Sequence, residues 1–228
     1  MRLRYILFVG FILCSGFLYA QLKEAQLEIE ILFGDENLEL GRNYYVDELA
    51  DSVEFESIKF YISNLEIQSN STWQEIGKLK HKLVDLEDST SLSMKVRGYS
   101  SIQKLRFNLG IDSITNVSGA FGGDLDPTKG MYWSWQSGYI NTKIEGKSKV
   151  FKTRNNYFQY HLGGYSGVFK SCQKVTLLSN KQEKLVLQLD IKEFFVNLNP
   201  TELSSVMSPS LEAVRLSTLL SRMFKLKE

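Results

Sequence analysis

Two tryptophans and one histidine concentrate the chemistry of this chain. Trp133 and Trp135 flank Ser134, and His161 follows within the same glycine-bracketed stretch, residues 122–164. In a β-strand, residues i and i+2 point to one face, so the two indoles would project together. An imidazole from a neighbouring strand would then meet a paired indole face. Neutral imidazole is the commonest protein ligand for transition metals, so the pattern suits a soft metal or a site of oxidative chemistry. The same spacing also suits plain core, because large aromatics bury much apolar area.

The surroundings of the pair weigh on that choice. Tyr132, Gln136, Ser137 and Tyr139 make the segment more polar than a core strand, and Gly130 and Gly138 bracket it. Both indoles would therefore lie near strand ends, where sites open onto loops. Tyr157, Gln159 and His161 share one alternation phase and hence one face, with His161 just before Gly163 and Gly164. His81 reads as a surface or hairpin residue, and otherwise as an additional metal ligand. Asp124 and Asp126 alternate in a glycine-flanked turn of a kind that can hold calcium. The plainer reading is a turn in which Asp126 sets up Pro127, with Asp112 and Asn116 upstream as further oxygen donors. Asn70 and Asn116 each begin an Asn-x-Ser/Thr triplet. No nucleophile elbow, His-Glu-x-x-His helix, phosphate-cradling glycine loop or haem-attachment motif is present.

Elements that could position these residues are mostly strands. Leu27, Ile29, Ile31 and Phe33 alternate with polar residues, and a turn at 34–37 leads back to Leu38 and Leu40 as a hairpin. Residues 53–67 form a long strand in which Ile58, Phe60 and Ile62 hold one phase and Leu65 and Ile67 the other. That flip near Ser63 and Asn64 predicts a bulge or bend. Further strands are expected at 104–109, 130–135, 139–144, 157–162, 174–178 and 184–191. Helix is expected only at the C-terminus, with Ser208 as cap, Pro209 in the first position and Ala213, Leu216, Leu220 and Met223 as the apolar stripe. Regular short strands and polar turns predict an all-β fold, an antiparallel β-sandwich with a C-terminal α-helix.

The start of the chain reads as a secretory signal, residues 1–20. Arg2 and Arg4 precede an apolar run at 5–17, and the stretch closes on Ala20. The run is shorter than the roughly 20 residues that span a bilayer, and no other segment approaches that length. Residues 21–228 then form one domain. Loss of the two arginines takes the basic count from 27 to 25 against 26 acids, a net of −1. Nothing in that balance favours nucleic acid or an anionic membrane. Cys14 would leave with the signal, so Cys172 becomes the lone thiol and packing rather than a disulfide must stabilise the fold.

Several runs of this sequence resemble the MbnP-like family of exported copper-binding proteins associated with methanobactin systems. They are residues 108–146, which carry the Gly-Met-Tyr-Trp-x-Trp-x-x-Gly-Tyr block, residues 158–164 after it, residues 58–67 and 81–92 before it, and residues 194–209 near the end. The resemblance implies a β-rich domain holding one copper with histidine ligation. It also implies a tryptophan oxidised to kynurenine at or near the metal by a dihaem peroxidase-like partner. On this chain the tryptophan would be Trp133 or Trp135 and the histidine His161, with His81 the other histidine available. The expected role is copper uptake, storage or delivery outside the cytoplasm, and not catalysis. The rival reading is a non-metal binding module in which Trp133, Trp135, Tyr132 and Tyr139 form an aromatic platform for a glycan or peptide.

Overall fold

A computed structural model describes residues 25–99, 102–179, 185–198 and 203–227. The expected signal at 1–20, and the start of the strand expected at 184–191, lie outside the described residues. The chain opens with β1 (Ala25–Phe33), which turns through Gly34 into β2 (Glu36–Asn37). Next come β3 (Asn43–Val46), the long β4 (Asp51–Ser69), β5 (Thr72–Glu75), β6 (His81–Asp85), β7 (Ser93–Val96) and β8 (Lys104–Leu109). A short helix α1 (Ser113–Val117) leads to β9 (Tyr132–Ser134), β10 (Gly138–Lys147), β11 (Tyr157–Gly163) and β12 (Gln173–Leu178). Then follow β13 (Leu185–Asp190), α2 (Ile191–Val196), β14 (Ser205–Val206), α3 (Leu211–Ser221) and β15 (Phe224–Leu226).

These strands build two layers. The larger sheet runs β12-β8-β4-β10-β11-β14, with β3, β5 and β6 also on β4 and β9 on β10. The smaller runs β15-β13-β1-β2, with β7 on β1. Between them lie Leu27, Ile29 and Ile31 of β1, Phe55, Ile58, Phe60 and Ile62 of β4, and Leu187 and Leu189 of β13. The fold is thus the expected β-rich sandwich, but its sheets are mixed. β1 and β13 pair in parallel from Leu27↔Leu185 to Leu32↔Asp190, and β11 and β14 are also parallel. Alternation within a strand reports which face is buried and carries nothing about the direction of its partner.

β4 organises the larger sheet. Asn64 takes a left-handed φ of 50°, and the β4–β8 register shifts between Ser63 and Glu66, at the expected phase flip. A second shift lies between Glu145 and Gly146 against Ser57 and Phe55, where the apolar phase passes from Val53 and Phe55 to Ile58. Arg106 of β8 clasps Glu66 through Nε at 2.6 Å and Nη2 at 2.9 Å while its guanidinium lies 3.8 Å from the Trp73 ring centroid.

Helix is more widespread than the sequence pattern predicts. α1 and α2 are too short for an amphipathic period to show, and each is set by an aspartate cap. Asp112 accepts from the Thr115 amide at 2.8 Å, and Asp190 from the Lys192 amide at 3.0 Å. Ile191, expected to end a strand, therefore begins α2. That turn drives Phe195 into the core, 5.2 Å from the Phe55 ring and 5.1 Å from the Phe158 ring. At the last helix the cap is Ser210, accepting from the Ala213 amide at 3.1 Å, and not Ser208. Pro209 stays outside the helix, close to Gly164. Ala213, Leu216 and Leu220 are buried as expected. Among the described residues, no helix is long and apolar enough to cross a membrane.

Candidate functional site

On β11, Phe158, Tyr160 and Leu162 face the core between the sheets, so Tyr157, Gln159, His161 and Gly163 point to the outer face of the larger sheet. β10 lies alongside with Lys143 opposite His161 and Glu145 opposite Gln159. These four side chains form a polar square. His161 Nε2 lies 2.7 Å from Glu145 Oε1, the Gln159 amide donates to the same oxygen at 3.3 Å, and Lys143 Nζ lies 3.3 Å from Glu145 Oε2. His161 is buried, with 7% of its surface exposed.

Beside this square the outer face carries a second, smaller core. Tyr61, Leu83, Ile111, Leu125, Met131, Tyr139 and Ile140 form it, with Tyr132 and Trp133 packed at its rim. Segment 111–139 covers the sheet here because its polar groups are tied down. Tyr61 donates to the Asp124 carbonyl at 3.0 Å, and the Leu83 amide donates to the Asp124 carboxylate at 3.0 Å. Asn116, only 2% exposed, donates to the carbonyls of Ile111 and Asp112 and accepts from the Tyr139 amide at 2.8 Å. Its side chain is therefore committed to the fold, which removes the Asn116 triplet as a glycan acceptor.

Trp133 joins the two features. Its six-membered ring lies against Gly163, where a Cβ would sit 2.6 Å from Cζ3 and 3.0 Å from Cη2. Gly163 and His161 are i+2 neighbours on one strand, so their α-carbons are about 7 Å apart at the usual rise of about 3.3 Å per residue. The structure thus brings Trp133 and His161 to the same end of the same outer face.

The other sequence candidates lie elsewhere. Trp135 does not share a face with Trp133, because β9 ends at Ser134 and Trp135 opens the turn into β10. It is 74% exposed. The strand expected at 130–135 is correspondingly shorter, since Gly130 is the left-handed cap of a preceding turn, at φ 74°. His81 pairs with Ser63 on β6, which borders β4 on the side away from β10. Three strand spacings separate it from β11, on the order of 14 Å, so it does not join His161. Its Nε2 lies 3.3 Å from Thr115 Oγ1, and burial, then Lys80, depress its pKa against the opposing pull of Asp112.

The two turn aspartates are engaged by protein donors, Asp124 both within its loop and across to β6, and Asp126 within its own turn. Asp124 holds Lys129 at 2.9 Å as well as the Leu83 amide, and Asp126 accepts from the Thr128 amide at 2.8 Å and its hydroxyl at 2.7 Å. Cys172 is half-buried, and burial, reinforced by Asp112, pushes its thiol up to about 12. The four-ring platform is not formed. Tyr139 is 1% exposed, set edge-on to Tyr61 at 6.0 Å and to Tyr132 at 4.8 Å, while Trp135 stands apart in solvent.

Glu145 is the site residue that sequence reasoning missed. Alternation places Lys143, Glu145 and Lys147 on one face, but only the β10–β11 register sets Glu145 against His161. The contact with His161, outweighing burial and aided by Lys143, lowers its pKa from the ordinary glutamate value of 4.5 to about 2. A folded-state pKa below the unfolded value contributes stability above pH 4.5 that is lost as pH falls toward 2. Chemical denaturation across that window should show a steeper acid loss for the native chain than for Glu145→Gln, and equal slopes would refute the assignment.

As a donor set for copper, the site offers one imidazole, which suits that metal in kind. Among the described residues, no group of three or more His, Cys, Asp or Glu side chains gathers as a metal site. The Trp133 ring, seated against Gly163, lies toward the same end of this face.

The sequence model of the MbnP family matches residues 23–208. Among solved structures, MbnP from Methylosinus trichosporium is similar in fold, with a TM-score of 0.64 at 12% identity, over 84% of this chain and 86% of that one. No curated protein sequence matches the chain. The family match runs from the first strand of the smaller sheet through the indole block and His161 to the loop before α3. On that extent, the chain belongs to the MbnP family.

Proposed function

We propose that this protein is an exported copper-binding protein that takes up, stores or delivers the metal, with His161 and an oxidised Trp133 as its donors. The observation that carries this reading is the seating of the Trp133 ring on Gly163, beside His161 and the Glu145 that contacts it. Indole itself is a poor ligand, because its nitrogen lone pair belongs to the aromatic ring. Cleaving the C2–C3 bond with insertion of two oxygens leaves a ketone on the side chain and a formyl amide on the nitrogen. Water then removes the formyl group as formate, leaving an aryl amine that can donate to copper. The oxidant is peroxide, reduced to water on a dihaem peroxidase-like partner. Trp133 is half-buried, so its ring is reachable by electron transfer through a thin cover while its products stay packed. The chain itself binds and does not catalyse.

The test is intact mass and metal analysis of the protein exported by its native host. One tryptophan should have lost one carbon and gained one oxygen, with peptide mapping assigning the change to Trp133 and copper co-purifying. Unmodified, copper-free protein from that source would overturn the reading. Conversion of Trp135 instead would move the site to the exposed turn.

A further inference from the structure

We propose that Glu145 is a positioning residue that holds His161 in the Nε2–H tautomer, so that Nδ1 is the nitrogen presented to a metal. The metal rests on the copper reading above, whereas the tautomer is a property of the folded chain. Among the described residues, the His161 imidazole makes its hydrogen bond through Nε2, to Glu145 Oε1 at 2.7 Å. A carboxylate at neutral pH only accepts, so the ring nitrogen facing it must carry the hydrogen. In neutral imidazole the other nitrogen then keeps the lone pair.

Glu145 is itself clamped. Gln159 donates to Oε1 at 3.3 Å, and Lys143 stands 3.3 Å from Oε2. The register explains why one carboxylate reaches all three groups. Lys143 faces His161 and Glu145 faces Gln159 across the β10–β11 pair, so the Glu145–His161 contact is the diagonal of the square. With both oxygens engaged, Glu145 serves as an orienter and not as a ligand. This is the arrangement by which metal-binding histidines are commonly fixed, the outer ring N–H going to a carboxylate.

The experiment records ring-nitrogen NMR shifts of the 15N-labelled full chain, stripped of metal, at a pH where the imidazole is neutral. His161 should show a pyrrole-type Nε2 and a pyridine-type Nδ1. An Nδ1–H tautomer or an even mixture would overturn the proposal. Glu145→Leu fills the space without an acceptor and should release the ring to a mixture. Should that variant fail to fold, Glu145→Gln gives the same readout, because its amide turns either oxygen or nitrogen to the ring. An unchanged tautomer in the folded variant would overturn the proposal. Copper titration of the same proteins should show affinity lower by about 10–100-fold in the variant. Wild-type protein that binds no copper yet holds the Nε2–H tautomer would end the copper reading and keep the positioning role. Tight copper binding with an Nδ1–H ring would do the reverse.

Discussion

Replacing His161 with alanine should lower copper affinity by more than about 100-fold, since loss of an outer-shell partner alone costs about 10–100-fold. The fold should survive. His161 lies on the outer face and outside both apolar cores, so no large cavity opens in either. Glu145 would lose its 2.7 Å contact but retain Gln159 and Lys143, so the half-buried carboxylate is not left alone. We expect a loss of about 1–2 kcal/mol, or a fall in Tm of a few degrees for a chain of this size. Copper titration beside thermal unfolding separates the two effects. Retained affinity in a folded His161→Ala protein would remove position 161 from the site. His81→Ala is the matched control, and its affinity should equal that of the native chain.

Gly163→Ala should disturb the same site without touching a donor atom. A Cβ at this position would meet Trp133 Cζ3 at 2.6 Å and the Tyr139 carbonyl oxygen at 2.7 Å. The backbone carbonyl cannot turn aside as a flexible side chain could, so the indole must lift or β10 must shift. Overpacking of this kind costs about 1–3 kcal/mol. Tryptophan emission should move to the red as Trp133 gains water, and copper affinity should fall although His161 remains. Gly122→Ala is the control, because nothing lies within 4 Å of its Cβ direction. Native emission and affinity in Gly163→Ala would mean that the seating of Trp133 has no bearing on binding.

Much of the architecture was legible along the chain because each strand buries one face. The 104–109 strand is observed with the expected bounds, and those at 157–162 and 174–178 to within one residue. The bend at Asn64 was visible as a change of apolar phase. The bend near Ser57 is not legible in the same way, because Val53 and Phe55 alone make too short a run to define a phase. The short helices after Asp112 and Asp190 are not legible along the chain, because helices of one or two turns leave no period to read.

For the site, the sequence by itself determined that Gln159 and His161 share a face, since the two-residue period of a strand is local geometry. It also determined that the indole block and His161 fall in one glycine-marked stretch that matches a family. Tertiary structure alone decided the rest. The length of β9 separated Trp133 from Trp135, since the two-residue period ends where a strand ends. Register between β10 and β11 placed Glu145 on His161, and the sheet order carried His81 away from it. Pairing partners and register arise from contacts between residues distant in the chain, and no local period encodes them.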